Sequence, residues 1–145
     1  MSNVHRVSPE EAKKLVDDDG YTYVDVRTEP EYAAGHPQGA QNVPFLNAGA
    51  RGMEPNPDFM TVMSAAYPKD AKLVVGCKSG GRSLKAAQAL LGAGYMNIVD
   101  QRAGWDGARN SFGAVSEPGW STKGWPTETA TAGGSYAEVR KKGAV

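Results

Sequence analysis

The sequence predicts an α/β fold with a central, mostly parallel sheet of about five strands and helices on both faces. Short runs of apolar and β-branched residues alternate along the chain with segments in which apolar residues recur at helical spacing. The apolar runs hold few polar residues, as is typical of strands covered on both faces. With 145 residues, the chain has the length of one domain with one hydrophobic core.

The first predicted helix has a complete start signal. Ser8 fits an N-cap, Pro9 fits the first helical position, and Glu11 completes a capping box. Apolar residues follow at helical spacing, so we expect a helix over residues 9–18. The next run, 21–26, is rich in tyrosine and valine and predicts a buried strand.

The elements that follow are short. A helical turn is predicted over residues 27–32. Gly, Pro and Asn recur from 35 to 57, which predicts a connecting loop with one short strand at 40–43. A first-turn proline then opens a helix over 57–66.

The most regular part of the chain lies between residues 71 and 99. The run 71–76 is a short apolar strand, 83–93 carries leucine and alanine at helical spacing, and 98–99 belong to a further strand. Strands that alternate with helices in this way favour a parallel sheet.

The pattern loosens toward the end of the chain. The last residues, from Ala130 to Val145, are small, polar and basic. We therefore predict one domain over residues 1–129 and a flexible tail over 130–145.

Composition excludes several classes of partner. Sixteen Lys and Arg residues balance sixteen Asp and Glu residues, so no global charge favours a nucleic acid or an anionic membrane. No apolar run approaches the roughly twenty residues that span a bilayer. Residues 1–6 lack the features of a signal peptide. We expect a cytoplasmic protein, although a targeting segment removed from the chain would leave no trace here.

The chain has a single cysteine, Cys77. One cysteine excludes an intramolecular disulfide and every metal site that needs two thiolates, and we predict no metal site. Two interpretations remain, a buried core residue and a reactive thiol, and the first is the more common role of a free cysteine. Position favours the second, because Cys77 follows an apolar strand and precedes a helix, where α/β sheets bind ligands.

The segment from Cys77 to Ser83 has the composition of an anion-binding loop. The first N–H groups of a helix lack intrahelical partners and favour negative charge. Gly80 and Gly81 let the loop curl so that successive amides converge. Lys78 and Arg82 add positive charge. These features predict that Cys77 is ionised at neutral pH.

The motif Cys-x-x-Gly-x-Arg, formed by Cys77, Gly80 and Arg82, resembles the active-site loop of the rhodanese sulfurtransferases. Other segments between Val7 and Thr127 resemble the same family. They are Asp25 to Arg27, Glu31 with Tyr32, Gly35 with His36, Gly39 with Ala40, Leu84 to Tyr95, and Gly124 to Pro126. Two features depart from the family pattern, namely the order of residues within 35–40 and an inserted segment between Trp105 and Trp120.

The resemblance implies a rhodanese-like fold and a sulfurtransferase, with thiosulfate:cyanide sulfurtransferase activity expected. Cys77 would be the catalytic nucleophile and would carry the sulfur as a covalent persulfide, with no other cofactor. The donor would be thiosulfate or a related persulfide, and the acceptor cyanide, a thiol or a sulfur-relay protein. The residues expected to bind the substrate are Lys78, Ser79, Gly80, Gly81 and Arg82.

Four residues are expected to support the site: Asp25, Arg27, His36 and Trp105. We expect His36 to be a hydrogen-bonded structural residue and Arg27 to pair with Glu31. For Arg82, bracing the loop and binding the donor are equally favoured interpretations.

Three alternatives stay open. A phosphatase or arsenate reductase on this fold would also use a cysteine in an anion-binding loop, but that loop has five residues between cysteine and arginine, and here there are four. A rhodanese-like module that binds a protein without catalysis would not need Cys77. A redox-sensing thiol is the third alternative.

Overall fold

The computed structural model describes residues 3–145, so Met1 and Ser2, where the predicted domain begins, lie outside the described residues. The strands are β1 (His5–Val7), β2 (Thr22–Asp25), β3 (His36–Pro37), β4 (Gln41–Asn42), β5 (Leu46–Gly49), β6 (Gly52–Pro55), β7 (Lys72–Gly76), β8 (Asn97–Gln101), β9 (Gly107–Arg109), β10 (Val115–Pro118) and β11 (Thr127–Glu128). The helices are α1 (Pro9–Asp18), α2 (Glu29–Ala34), α3 (Phe59–Ala66), α4 (Gly81–Gly92) and α5 (Tyr136–Lys142), with one 3₁₀ turn at Trp120–Thr122.

The main sheet has five strands in the order β1-β8-β7-β2-β4, and all of its pairings are parallel. Strand β7 lies at its centre, where Val74 is opposite Tyr23 on one side and Val99 on the other. The predicted α/β fold with a parallel sheet of about five strands is therefore confirmed.

Helices cover both faces of this sheet. On one face, Val24, Leu73 and Val75 belong to a buried cluster that extends into α3, α4 and α5. On the other face, Tyr23 and Val74 pack in a second cluster with residues of α1 and α2 and with the indole of the 3₁₀ turn. Successive strand residues point to opposite faces, so each strand supplies side chains to both cores.

Capping explains where the first two helices begin. Ser8 caps α1 and Thr28 caps α2, each in a capping box with a glutamate three residues later, and each helix has a proline in its first turn. Helix α1 has the predicted bounds, whereas α2 begins two residues later than predicted because Thr28 is its cap. The local signals therefore placed α1 correctly and α2 to within two residues.

Several strands were not predicted. The edge strand β1 contains one buried residue, Val7, and the hairpins β5–β6 and β9–β10 are mostly exposed. Hairpin β9–β10 occupies the inserted segment between Trp105 and Trp120. These elements lack a continuous apolar run, which is why the hydrophobic pattern did not reveal them.

The prediction of a flexible tail is wrong for residues 136–142, which form α5. Ser135 and Glu138 make a capping box at its start, and Val139 is fully buried against the core. The guanidinium of Arg140 bonds the carboxylate of Asp58 at 3.2 Å. The capping box was visible in the sequence, but the seven-residue helix is too short to show a helical apolar stripe.

Within residues 3–145, no helix has the length and apolar character needed to cross a bilayer.

Candidate active site

Cys77 lies at the carboxyl end of the central strand of the sheet. Strand β7 ends at Gly76, and α4 begins at Gly81, after four intervening residues. A side chain at position 76 would overlap the hydroxyl oxygen of Tyr23, so this close approach requires a glycine immediately before the cysteine. The cysteine itself exposes 2% of its surface and borders the apolar core.

Two backbone amides at the start of α4 point at the cysteine sulfur. The N–H groups of Gly80 and Ser83 donate to Cys77 Sγ over nitrogen–sulfur distances of 3.1 and 3.3 Å. The Ser83 hydroxyl oxygen lies 3.4 Å from the same sulfur. Amide donors at a helix N-terminus stabilise a negatively charged sulfur, so the arrangement favours a thiolate or a persulfide anion.

Gly80 gives the loop its curvature. It caps α4 with a φ of 97°, in the left-handed region that favours glycine. A Cβ atom at this position would overlap the carbonyl oxygen of Arg102, in the segment after β8. The loop therefore packs tightly against its neighbour while the Gly80 amide still reaches the sulfur.

Arg82 points away from the sulfur toward helix α2. Its guanidinium makes two hydrogen bonds to the Glu31 carboxylate, at 2.7 and 3.1 Å. Burial favours the neutral carboxyl group of Glu31, but the hydrogen bonds from Arg82 and Thr28 prevail and lower its pKa to about 2. In this geometry Arg82 braces the loop.

The remaining loop residues are more open. Lys78 is exposed, with its ammonium 3.8 Å from the Asp106 carboxylate, and Ser79 is half-buried. Gly81 is exposed at the first position of α4. Lys78 therefore supplies positive charge at the rim of the loop and lies apart from the two amides that contact the sulfur.

Similarity to known proteins agrees with this geometry. The family model for the rhodanese-like domain matches residues 8–111. The chain belongs to the rhodanese-like domain family.

Two relatives illustrate the similarity to this family. The chain is 40% identical over 109 residues to thiosulfate sulfurtransferase 16, chloroplastic, of Arabidopsis thaliana, covering 75% of this chain and 81% of that protein. It is 33% identical over 119 residues to thiosulfate sulfurtransferase GlpE of Pseudomonas fluorescens, covering 82% of this chain and 97% of that protein. Other relatives are longer, and the match spans 47% of the senescence-associated protein DIN1 of Raphanus sativus.

Solved structures share the fold. The protein Rv0390 from M. tuberculosis superposes with a TM-score of 0.71 at 25% identity, over 89% of this chain and all of that chain. The human single-domain sulfurtransferase TSTD1 superposes with a TM-score of 0.55 at 23% identity, over 71% of this chain and 93% of that chain. The second likeness shows the fold alone.

Beside the loop of this rhodanese-like domain lies a buried ion pair. Arg27 Nη2 bonds Asp25 Oδ2 at 2.7 Å and the Gly35 carbonyl oxygen at 2.6 Å, so the expected pairing of Arg27 with Glu31 is wrong. Asp25 is opposite Gly76 in the sheet, which places this pair next to the base of the loop. Removing one partner would leave a buried charge without compensation.

Trp105 contacts both the ion pair and the loop. Its ring lies 5.3 Å from the Arg27 guanidinium, and its backbone N–H donates to the Cys77 carbonyl oxygen at 2.8 Å. The indole therefore covers Arg27, and the backbone of the same residue fixes the cysteine main chain.

His36 is engaged in structural contacts. Its ring nitrogens lie 2.7 Å from the Tyr32 carbonyl oxygen and 2.7 Å from the Thr131 hydroxyl oxygen, and the ring stacks on Tyr32 at 3.6 Å. The imidazole is fully buried. These contacts hold α2 against the segment after β11.

Two residues of this rhodanese-like site were missing from the predicted set. Ser83 contacts the sulfur through both its amide and its hydroxyl group, and Glu31 holds Arg82. Ser83 could have been found, because the third residue of a helix has an N–H without an intrahelical partner. Glu31 was recognisable as part of the Thr28 capping box, but its second partner is 51 residues away.

Proposed function

We propose that this domain is a sulfurtransferase that moves a sulfane sulfur from thiosulfate or a related persulfide donor through a persulfide on Cys77. The proposal depends on one observation, the two backbone amides of Gly80 and Ser83 that donate to the sulfur of the only cysteine. The relatives named thiosulfate sulfurtransferases support the choice of donor.

In the first half-reaction, the Cys77 thiolate attacks the outer sulfur of thiosulfate. A bond forms between Sγ and that sulfur, the sulfur–sulfur bond of thiosulfate breaks, and sulfite leaves with the bonding electron pair. The nucleophile is already charged, so no general base is required. The amides that favour the thiolate also stabilise the persulfide anion.

In the second half-reaction, a thiophilic acceptor attacks the outer sulfur of the persulfide. With cyanide, a carbon–sulfur bond forms, the persulfide bond breaks, and thiocyanate leaves while Cys77 recovers its negative charge. A thiol acceptor takes the sulfur in the same way and becomes a persulfide. The two half-reactions predict ping-pong kinetics.

The geometry disfavours a phosphatase or arsenate reductase. Such an enzyme needs the loop arginine to face a tetrahedral oxyanion, and Arg82 is held by Glu31. The histidine that commonly precedes a phosphatase cysteine would not fit at position 76, where a Cβ atom overlaps Tyr23. The two amides of Gly80 and Ser83 form a site that suits a single sulfur atom.

Mass spectrometry of the intact protein tests the proposal. After incubation with thiosulfate, we expect the wild-type chain to gain the mass of one sulfur atom and to lose it on addition of cyanide. Cys77→Ser is the matched control and should gain nothing. A wild-type chain that gains no sulfur, or that hydrolyses a phosphate ester instead, would refute the proposal.

We propose a small acceptor, a thiol or cyanide, with a sulfur-relay protein as the alternative. Incubation of the loaded domain with glutathione distinguishes the two, because transfer to glutathione at a rate comparable to cyanide favours a small acceptor. The cytoplasmic location stays a prediction, which cell fractionation would test.

A further inference from the structure

A second, partly buried ion pair lies behind the cysteine loop, on the side of the edge strand β1. Arg6 and Asp100 are directly opposite each other in the β1–β8 pairing, and Arg6 Nε bonds Asp100 Oδ2 at 2.6 Å. The Asp100 side chain is fully buried, and the Arg6 side chain is 37% exposed. Arg6 precedes residues 8–111, so the family match does not include it.

The same arginine reaches the cysteine loop. Arg6 Nη2 donates to the Gly80 carbonyl oxygen at 3.0 Å. Two other donors to this carbonyl, the Leu84 N–H and the Ser83 hydroxyl, are more distant, at 3.3 and 3.4 Å. Gly80 is thus held at both of its backbone hydrogen-bonding groups, with its N–H on the Cys77 sulfur and its carbonyl on Arg6.

Asp100 is costly to bury. Its Oδ1 has no hydrogen-bond partner among residues 3–145. Burial raises the pKa of the carboxyl group, and Ser83 and Arg6 oppose this shift. The Ser83 hydroxyl oxygen is also 3.4 Å from the cysteine sulfur. An ion pair with a buried carboxylate gives little net stability compared with an apolar pair.

We infer that Arg6 and Asp100 are positioning residues for the sulfur-binding loop. Asp100 fixes the guanidinium of Arg6, and Arg6 fixes the Gly80 carbonyl, so that the Gly80 amide stays directed at the sulfur of Cys77. The pair acts through the loop and does not contact the substrate. This inference deepens the proposed sulfur transfer and rests on it for its catalytic consequence.

The paired variant Arg6→Met with Asp100→Asn tests the inference, because removing both charges avoids leaving a buried carboxylate unpaired. We expect sulfur loading by thiosulfate to slow about tenfold, the effect of losing one charge-assisted hydrogen bond. In amide proton–nitrogen correlation spectra, the Gly80 proton signal should move upfield and exchange faster with water, because its hydrogen bond to sulfur weakens.

Arg140→Met is the matched control. Arg140 also pairs with an aspartate, and its side chain is 34% exposed, but it lies on α5. This variant should leave both the loading rate and the Gly80 signal unchanged. It thereby separates loss of loop geometry from general loss of an arginine–aspartate pair.

Three outcomes would overturn the inference: wild-type loading in the paired variant, slower loading with an unchanged Gly80 signal, or the same losses in Arg140→Met. If the wild-type chain forms no persulfide, the proposed function fails. In that case, an unchanged Gly80 signal in the paired variant overturns the positioning role, and a shifted signal supports it.

Discussion

Cys77 and His36 both carry groups capable of chemistry, and both are buried, but the protein surrounds them in opposite ways. Both nitrogens of His36 have partners at 2.7 Å, and its ring stacks on Tyr32. The sulfur of Cys77 faces backbone amides that donate to it. The histidine contacts favour one fixed orientation of the ring, whereas the cysteine contacts favour negative charge on the sulfur.

If Cys77 is the nucleophile of the proposed reaction, burial alone does not distinguish a structural group from a reactive one. Cys77 lies in a loop that begins a helix, where N–H groups have no intrahelical partner. His36 lies in β3, which pairs with β11, and both of its ring nitrogens already have hydrogen-bond partners. The two side chains therefore differ in the type of partner at the polar atom, and the following changes test whether this difference determines reactivity.

The largest expected effect is on stability, from His36→Ala. The substitution removes a buried ring, its stacking on Tyr32 and two hydrogen bonds, so we expect the free energy of unfolding to fall by about 4 kcal/mol. Urea denaturation measures this loss. The rate of sulfur loading per folded molecule should not change, and a large fall in that rate would show that the histidine takes part in the chemistry.

The next largest expected effect is on the rate of sulfur loading, from Gly80→Ala. The added Cβ atom overlaps the Arg102 carbonyl oxygen and the backbone has a φ of 97°, so the Gly80 amide would move away from the sulfur. We expect sulfur loading to slow about a hundredfold, equivalent to about 3 kcal/mol. Gly92→Ala, at the open end of the same helix, is the control. A normal rate of sulfur loading by the Gly80 variant would contradict the proposed role of the Gly80 amide.

Val139→Ala tests whether α5 is packed on the core. Val139 is fully buried, so its truncation should lower the free energy of unfolding by about 2 kcal/mol, with no change in the loading rate per folded molecule. Thermal denaturation monitored by circular dichroism would measure the effect. Lys141→Ala, on the exposed side of the same helix, should be close to neutral, and equal losses in both variants would argue against the packed helix.

The smallest effect is expected from Glu31→Gln. The folded-state pKa of Glu31 is about 2, below the ordinary value of 4.5, so its ion pair stabilises the protein above pH 4.5 and is lost as the pH falls toward 2. Because the carboxylate is partly exposed, we expect a contribution of about 1 kcal/mol. Urea denaturation at several pH values should show this contribution at pH 7 and its disappearance in acid. A difference between the two proteins that persists in acid would contradict the assignment.

Much of the fold was predictable, because its signals are local. The Ser8 and Thr28 capping boxes mark helix starts, and the apolar runs mark the central strands of the sheet. The third capping box, at Ser135, was equally visible but stood in a segment whose composition suggested a tail. The edge strand β1 and the exposed hairpins escaped prediction because they have no apolar stripe.

The candidate site likewise has features that were predictable from the sequence and features that were not. The sequence by itself determined the α/β layout, the lone cysteine and its place between a buried strand and a helix start, since these depend on residues that are neighbours in the chain. Only the tertiary structure decided that Arg82 pairs with Glu31, that Arg27 pairs with Asp25, and that Arg6 reaches Gly80. Two of these contacts join residues 51 and 74 positions apart. Their partners are selected by the order and register of the strands, which bring distant residues to one edge of the sheet.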